Sequence, residues 1–340
     1  MMAYILIDKK AFFFNISLLQ TKFSKQKVGL VIKDNAYGHG LEIIANLAKE
    51  AGITSVFVKN AEEAQKIAHL FSQITIFYGD YAPLGENINF VMHSLEQLAT
   101  LPKNTNIELK INIGMNRNGL CESEVIEALN LIKKHSLNLK GVMAHNGFGD
   151  DLGSEFYTQK QRFNKIQAEI QEWVHMHHLP MPRFHALSSS GALRSTEIQG
   201  DLIRFGIVAY GYLSTSPLLS DMDFKPVLSL YARKICSKAL KKGDRVGYGG
   251  QGVLEYNSTI SSYDVGYGDG LFRCIGNEGL CAANGEKIIG RMSMDTLSIL
   301  STQDEICIFN DVREWAKAFK TIPYVILTHL NKDIPRRVKP

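Results

Sequence analysis

The chain is poor in cysteine, proline and tryptophan, has no long apolar run, and carries little net charge. Its five cysteines, Cys121, Cys236, Cys274, Cys281 and Cys307, make an odd count with no C-x-x-C pair. That argues against a disulfide framework and a zinc ribbon, and it fits a reducing compartment, the cytoplasm by default. Only 9 prolines and 28 glycines are spread over 340 residues, which excludes collagen-like or proline-rich low complexity. No stretch approaches about 20 apolar residues, so no membrane-spanning helix is expected. The opening Met1-Met2-Ala3-Tyr4-Ile5-Leu6-Ile7-Asp8 has no basic region, and its apolar run is too short for a secretory signal. Lys plus Arg number 38 against 34 Asp plus Glu, and the +4 balance is dispersed along the chain. Nucleic-acid and membrane-surface binding are therefore not expected. His175, His177 and His178 close a predicted helix without a matching ligand set, so no metal site is expected.

What is present is an ordinary globular balance, 45% hydrophobic and 21% charged, at a length suited to two domains or one large barrel with an addition. Eight short β-rich runs fall within the first two-thirds: Val28–Ile32, Ser55–Val58, Ile74–Phe77, Ile88–Val91, Ile107–Ile111, Leu139–Ala144, Arg183–Ala186 and Leu202–Phe205. Amphipathic segments lie between them. In Leu41–Ala51, Ile43, Ile44, Leu47, Ala48 and Ala51 share a helical face, and Phe163, Ile166, Ile170, Trp173 and Val174 stripe Phe156–His177. Eight strand–helix repeats predict an α/β fold whose N-terminal part is a (β/α)₈ TIM-like barrel, with an open doubly wound sheet as the alternative. Beyond about Lys225 the pattern changes. Pro226–Ala232, Thr259–Val265 and Thr296–Leu300 read as strands and only Val312–Phe319 as helix. The expected division is a barrel over 1–225, its first residues able to pack with the second domain, and a mainly β C-terminal domain over 226–340. Gly247-Tyr248-Gly249-Gly250-Gln251-Gly252 fits G-x-G-x-x-G, but a β-rich stretch follows it, so no dinucleotide site is expected.

A barrel of this kind places its chemistry at the C-terminal ends of its strands. Those ends carry Lys33, Lys110 with Arg117 in the next loop, His145, His185, and Arg204. The loops after the seventh and eighth strands, Ser188–Gly191 and Gly206–Ile207, suit a phosphate held by backbone N–H groups and hydroxyls. Taken singly each has a plainer reading: a solvated lysine, a polar turn, a hydrogen-bonded structural histidine. Arg204 within an apolar run is less plain, because an arginine there needs a partner. A phosphate site, a lysine able to hold an aldehyde as a Schiff base and an arginine for a ring nitrogen together describe a pyridoxal phosphate pocket.

Five segments carry a specific resemblance, in order along the chain. They are Val31-Ile32-Lys33-Asp34-Asn35-Ala36-Tyr37-Gly38-His39-Gly40, Lys110-Ile111-Asn112-Ile113-Gly114-Met115-Asn116-Arg117, Ile203-Arg204-Phe205-Gly206-Ile207, Gly266-Tyr267-Gly268-Asp269-Gly270 and Gly290-Arg291-Met292-Ser293-Met294-Asp295. From about residue 4 to the C-terminus the sequence resembles the alanine racemases. The resemblance implies a fold-type III enzyme that binds pyridoxal 5'-phosphate and works as a homodimer with shared sites. By position, Lys33 matches the Schiff-base lysine and Tyr267 the opposing base, supplied by the partner subunit. Arg117 matches the arginine that contacts the cofactor and places the substrate carboxylate, and Lys110 a lysine often N-carboxylated. Arg204 matches the ring-nitrogen partner, with His145 and His185 around it. Tyr37, Ser189, Gly206, Ile207 and Tyr324 match phosphate contacts, and Met294 and Asp295 the partner-subunit motif at the substrate pocket. Departures are Asn112-Ile113, Ser188-Ser189, Asn146-Gly147-Phe148-Gly149-Asp150 and Ser293.

Racemisation removes the α-proton on one face and returns a proton on the other, so two bases are needed. The resemblance implies that Lys33 acts on D-alanine and Tyr267 on L-alanine, supplying D-alanine for peptidoglycan. Three alternatives share parts of the pattern: a racemase of another or broader amino-acid range such as serine, a related decarboxylase, and a non-catalytic pyridoxal phosphate carrier. The C-terminal segment with Tyr267 argues against a carrier.

Overall fold

The computed structural model describes residues 3–213, 215, 216, 218–220, 222–274 and 279–340. Two compact units result. One comprises Phe14–Lys33 and Ile44–Phe224, the other Met1–Phe13, Asp34–Ile43 and Lys225–Pro340. β1 (Tyr4–Asp8) belongs to the second of these.

The first unit is built on eight parallel strands. These are β2 (Val28–Val31), β3 (Ser55–Val58), β4 (Gln73–Ile76), β5 (Ile88–Met92), β6 (Asn106–Lys110), β7 (Asn138–Met143), β8 (Arg183–His185) and β9 (Ile203–Phe205). Neighbours pair in the order β8-β7-β6-β5-β4-β3-β2-β9. A single parallel bridge between Ser188 and Arg204 joins the open edges, so the barrel is nearly closed. All eight expected strands are present, and the doubly wound alternative falls away. β-Branched and aromatic side chains dominate these runs because strands covered by helices outside and packed inside are buried on both faces. Val56, Phe57, Val58, Leu109 and Ile203 are all fully buried. Helices Ala61–Ile67, Val125–Lys134 and Glu155–Met176 return the chain between strands. Asn60 starts the first of these by accepting from the Glu63 N–H at 3.0 Å. Phe163, Ile166, Ile170, Trp173 and Val174 are buried on the long helix, as their spacing predicts.

The second unit is mainly sheet. β10 (Leu228–Leu240) is its spine, with Leu228, Leu230 and Ala232 alternating inward. β1, β13 (Ser258–Tyr263) and β15 (Glu305–Phe309) pair with β10 antiparallel; β16 (Arg336–Lys339) joins β1, and β14 (Leu297–Ile299) joins β13. A two-stranded ribbon pairs β11 (Arg245–Val246) with β12 (Gly252–Val253). The next element after the Gly247–Gly252 segment and its ribbon is the strand β13. One expectation needs correcting. Besides Arg313–Ala318, this unit has a second helix, Pro323–His329, which starts with its proline in the first turn, where the missing N–H costs nothing. Among the described residues no helix is long and apolar enough to cross a membrane. His177 stacks on Trp173 with ring centroids 4.0 Å apart, a structural use of a helix-end histidine.

Candidate active site

The barrel brings together the charged residues that the sequence scatters over 170 positions. Lys33 follows β2, Lys110 ends β6, His145 follows β7, His185 ends β8 and Arg204 centres β9. Arg117 lies exposed in the loop after β6. Arg204 is buried, and its partners are now explicit. One terminal nitrogen donates to His185 Nδ1 at 2.6 Å and to the His185 carbonyl at 2.9 Å; the other donates to the carbonyls of Ala144 and Ala186 at 2.5 and 3.2 Å. Those four bonds commit the terminal N–H groups and leave Nε–H as the remaining donor. Burial lowers the Arg204 pKa to about 10, against Glu108 and with Arg183, so the guanidinium stays charged at neutral pH. Its ring partner is His185 alone; His145 is not hydrogen-bonded to it among the described residues.

Protonation states follow from the same geometry. Burial first, then the cations Arg204, Lys110, Arg117 and Lys33, holds the His145 pKa well below the histidine range. Burial also lowers His185 to about 4, although Glu108 opposes the shift. Lys110 is pushed well below the lysine range by burial and by Arg204 and Arg117. The cluster thus holds two neutral imidazoles, a weakly basic amine and a fixed guanidinium.

A phosphate-sized acceptor has donors nearby in the chain. Ser189 opens the short helix Ser189–Arg194, and its buried hydroxyl oxygen accepts from the Gly206 N–H at 3.1 Å, which leaves its own O–H to donate. Gly206 and Ile207 lead into a 3₁₀ turn, so the two expected phosphate loops are locked to each other. A fixed Nε–H donor and a hydroxyl-and-amide cradle match the donor set that pyridoxal phosphate requires at its ring nitrogen and its phosphate.

Sequence reasoning missed Glu108 and Arg183. Glu108 lies two residues before Lys110 on β6, and Arg183 two before His185 on β8, so the period-two rule puts each on the same face as its neighbour. That was the available signal.

The remaining candidates lie in the other unit. Directly after Lys33, four non-glycine residues, Asp34, Asn35, Ala36 and Tyr37, have φ of 53, 54, 51 and 52°. This is one left-handed helical turn, a conformation that costs L-residues roughly 1–2 kcal/mol each. Its hold is visible: Leu41 N–H donates to Asn35 Oδ1 at 2.8 Å, and Arg336 donates twice to the Gly38 carbonyl, at 3.1 and 2.9 Å. Gly38 continues at φ 82°, and a Cβ there would stand 2.1 Å from the Leu327 carbonyl oxygen. Tyr37 and Tyr324 meet ring to ring at 5.9 Å, and burial, then Tyr324 and Asp34, raises the Tyr37 pKa strongly.

Tyr267 sits on the 3₁₀ turn Tyr267–Asp269, fastened to the Ser293–Met294 segment. Its N–H donates to the Ser293 carbonyl at 3.2 Å, and the Gly268 N–H donates to the Met294 carbonyl at 2.8 Å. Gly266 allows this approach, since a Cβ there would fall 2.2 Å from the Met294 carbonyl oxygen. Two of the sequence motifs therefore meet. Asp295 is exposed beside them, and Met294 and Tyr267 expose 54% and 37% of their surface. Arg273 stands 5.7 Å over the Tyr267 ring.

A barrel enzyme with a fixed anion cradle, a buried arginine donor and strand-end amines is the class that this architecture and cluster define. The comparisons narrow it. The family model "Alanine racemase, N-terminal domain" matches residues 7–214, and "Alanine racemase, C-terminal domain" matches 227–338. A Campylobacter concisus protein named alanine racemase is 36% identical over 340 residues, covering 99% of both chains. Its Campylobacter jejuni counterpart is 37% identical over 339 residues, covering 98% of this chain and 99% of its own. Among solved structures, alanine racemase from Clostridium difficile superposes with a TM-score of 0.90 at 21% identity, covering 100% and 96% of the two chains. The chain belongs to the alanine racemase family.

Proposed function

We propose that this protein interconverts L- and D-alanine with pyridoxal 5'-phosphate, by two bases of which one comes from a partner subunit. The observation that carries the reading is Arg204. It is buried, charged and pinned by four bonds, with one donor left over. When bound, pyridoxal phosphate supplies an electron-withdrawing ring that acidifies the α-C–H of an attached amino acid. Arg204 would donate Nε–H to the ring nitrogen without surrendering a proton, because its pKa stays near 10. Ser189, Gly206, Ile207, Tyr37 and Tyr324 would hold the phosphate, and Arg117 the substrate carboxylate. The Lys33 amine would anchor the cofactor, and would take or return the α-proton on one face. The Tyr267 hydroxyl of a second copy would serve the other face, with the partner's Met294 and Asp295 at the substrate.

Lys110 fits N-carboxylation. Its lowered pKa raises the share of neutral amine, the form that can attack carbon dioxide to give a carbamate and release one proton. The carbamate would give Arg117 an anionic neighbour. In this reading the homodimer is a cytoplasmic enzyme that supplies D-alanine for peptidoglycan. The test is chiral analysis of purified protein incubated with pyridoxal phosphate and single L-amino acids. Rapid D-alanine formation, with little product from serine or lysine, is expected. Comparable D-serine would reassign the substrate, and no D-product from any amino acid would overturn the reading.

A further inference from the structure

Behind Arg204 the barrel interior holds a second charged pair. Glu108 and His185 are fully buried, and Arg183 nearly so. Glu108 Oε1 accepts from Thr75 Oγ1 at 2.9 Å, from Arg183 Nε at 3.1 Å and from the adjacent Arg183 terminal nitrogen at 2.5 Å. Asn89 Nδ2 adds a longer contact at 3.4 Å. Glu108 Oε2 faces His185 Nε2 at 2.8 Å. Arg183 is held in turn by Ser55 Oγ at 2.8 Å and by Gln73 Oε1, and it lies 5.6 Å from the Phe57 ring. The neighbouring strand leaves room for the carboxylate: a Cβ on Gly141 would stand 2.8 Å from Glu108 Cδ. Thr75, Asn89, Arg183, His185 and Gly141 come from four different strands, so this is a built arrangement rather than a surface accident.

Its consequence lies at the imidazole. A carboxylate has no proton to give, so the 2.8 Å contact requires His185 to carry its proton on Nε2. Nδ1 then bears a lone pair, the only form that can accept from Arg204 at 2.6 Å. We propose that Glu108, backed by Arg183, is a positioning residue for the reaction: it fixes the His185 tautomer and through it the aim of Arg204. The proposal rests on the reading that Arg204 serves the cofactor's ring nitrogen.

Glu108→Gln tests it sharply. The two Arg183 donors and Thr75 hold the amide oxygen at the Oε1 position, so the amide N–H₂ faces His185. His185 must then accept at Nε2 and protonate Nδ1, which sets N–H against the Arg204 N–H. Nitrogen-15 spectra of the histidines, in protein stripped of cofactor, read this without any chemistry. Wild type should show the Nε2–H tautomer at His185, and Glu108→Gln should lose it. In the loaded enzyme kcat should fall about 10- to 100-fold while the alanine KM moves little. Because Glu108→Gln also strips Arg183 of its counter-ion, Glu108→Met/Arg183→Met serves as the second variant. Removing both charges should preserve folding, yet the His185 Nε2–H would lose its acceptor, so the ring and the aim of Arg204 should loosen and kcat should stay low. An unchanged tautomer in Glu108→Gln would overturn the proposal, and so would wild-type kcat in the double variant. Failure of the cofactor reading would show separately, as wild-type protein that takes up no pyridoxal phosphate.

Discussion

The two halves of the proposed chemistry are held in opposite ways. In the barrel, Arg204, His185 and Glu108 are buried and, with the part-buried Arg183, cross-linked before any substrate arrives. Arg204, His185, Glu108 and Arg183 form one continuous chain of hydrogen bonds in which each donor meets an acceptor. Burial would raise the Glu108 carboxyl pKa, but Arg183 and His185 outweigh it and hold the group well below the usual carboxylate range. Tyr267, Met294 and Asp295 stand exposed, and the Tyr267 turn is fixed through backbone bonds to the Ser293 and Met294 carbonyls. A preorganised electrostatic site belongs inside, where charge interactions are strong. A base that must meet another subunit's substrate belongs outside. In the proposed reading the barrel would do the work of tuning and the exposed turn the work of completing.

Substitutions can break this contrast. Lys33→Ala should have the largest effect, a loss of about four orders of magnitude or more in kcat, because it removes both an anchor and a base. Tyr267→Phe should cost about 10²- to 10³-fold in both directions of the reaction. Since its side chain is partly exposed, thermal unfolding should be unchanged. Arg183→Leu should act on stability. It leaves Glu108 buried and unpaired, which costs about 3–5 kcal/mol by urea titration. Lys165→Leu, which breaks the exposed pair with Glu122, should leave the urea midpoint where it is. Acid acts through the buried histidines. His39 and His185 have folded pKa values near 4, and His145 is lowered too, so the unfolded chain takes up protons that the folded chain refuses. Their stabilising contribution is complete above the unfolded pKa of about 6.5 and declines as pH falls towards 4, by at most about 1.4 kcal/mol per pH unit for each histidine. Urea midpoints between pH 7.5 and 5 would check the slope, and His39→Gln should make it shallower.

Much of the fold was legible because strand period and helix period alternate so regularly between Val28 and Phe205. The helix Pro323–His329 was not, since seven residues carry too little periodicity, although Pro323 was a usable start signal. At the site, Arg204 announced that it needed a partner, but three of its four acceptors are backbone carbonyls, which no side chain advertises. Glu108 and Arg183 lie 75 residues apart and meet because β6 and β8 flank β7, whose Gly141 leaves room for the carboxylate. The left-handed turn after Lys33 was equally hidden. Asn35 and Asp34 tolerate such φ values, but Ala36 and Tyr37 give no hint of them.

The shared site is the central claim, and subunit mixing tests it most directly. Lys33→Ala and Tyr267→Ala are each expected to be inactive alone. A heterodimer of the two would hold one site with both bases intact. After dissociation and random reassociation, about a quarter of wild-type activity should return. No recovery, with exchange verified by differently tagged subunits, would contradict a site completed by the partner's tyrosine.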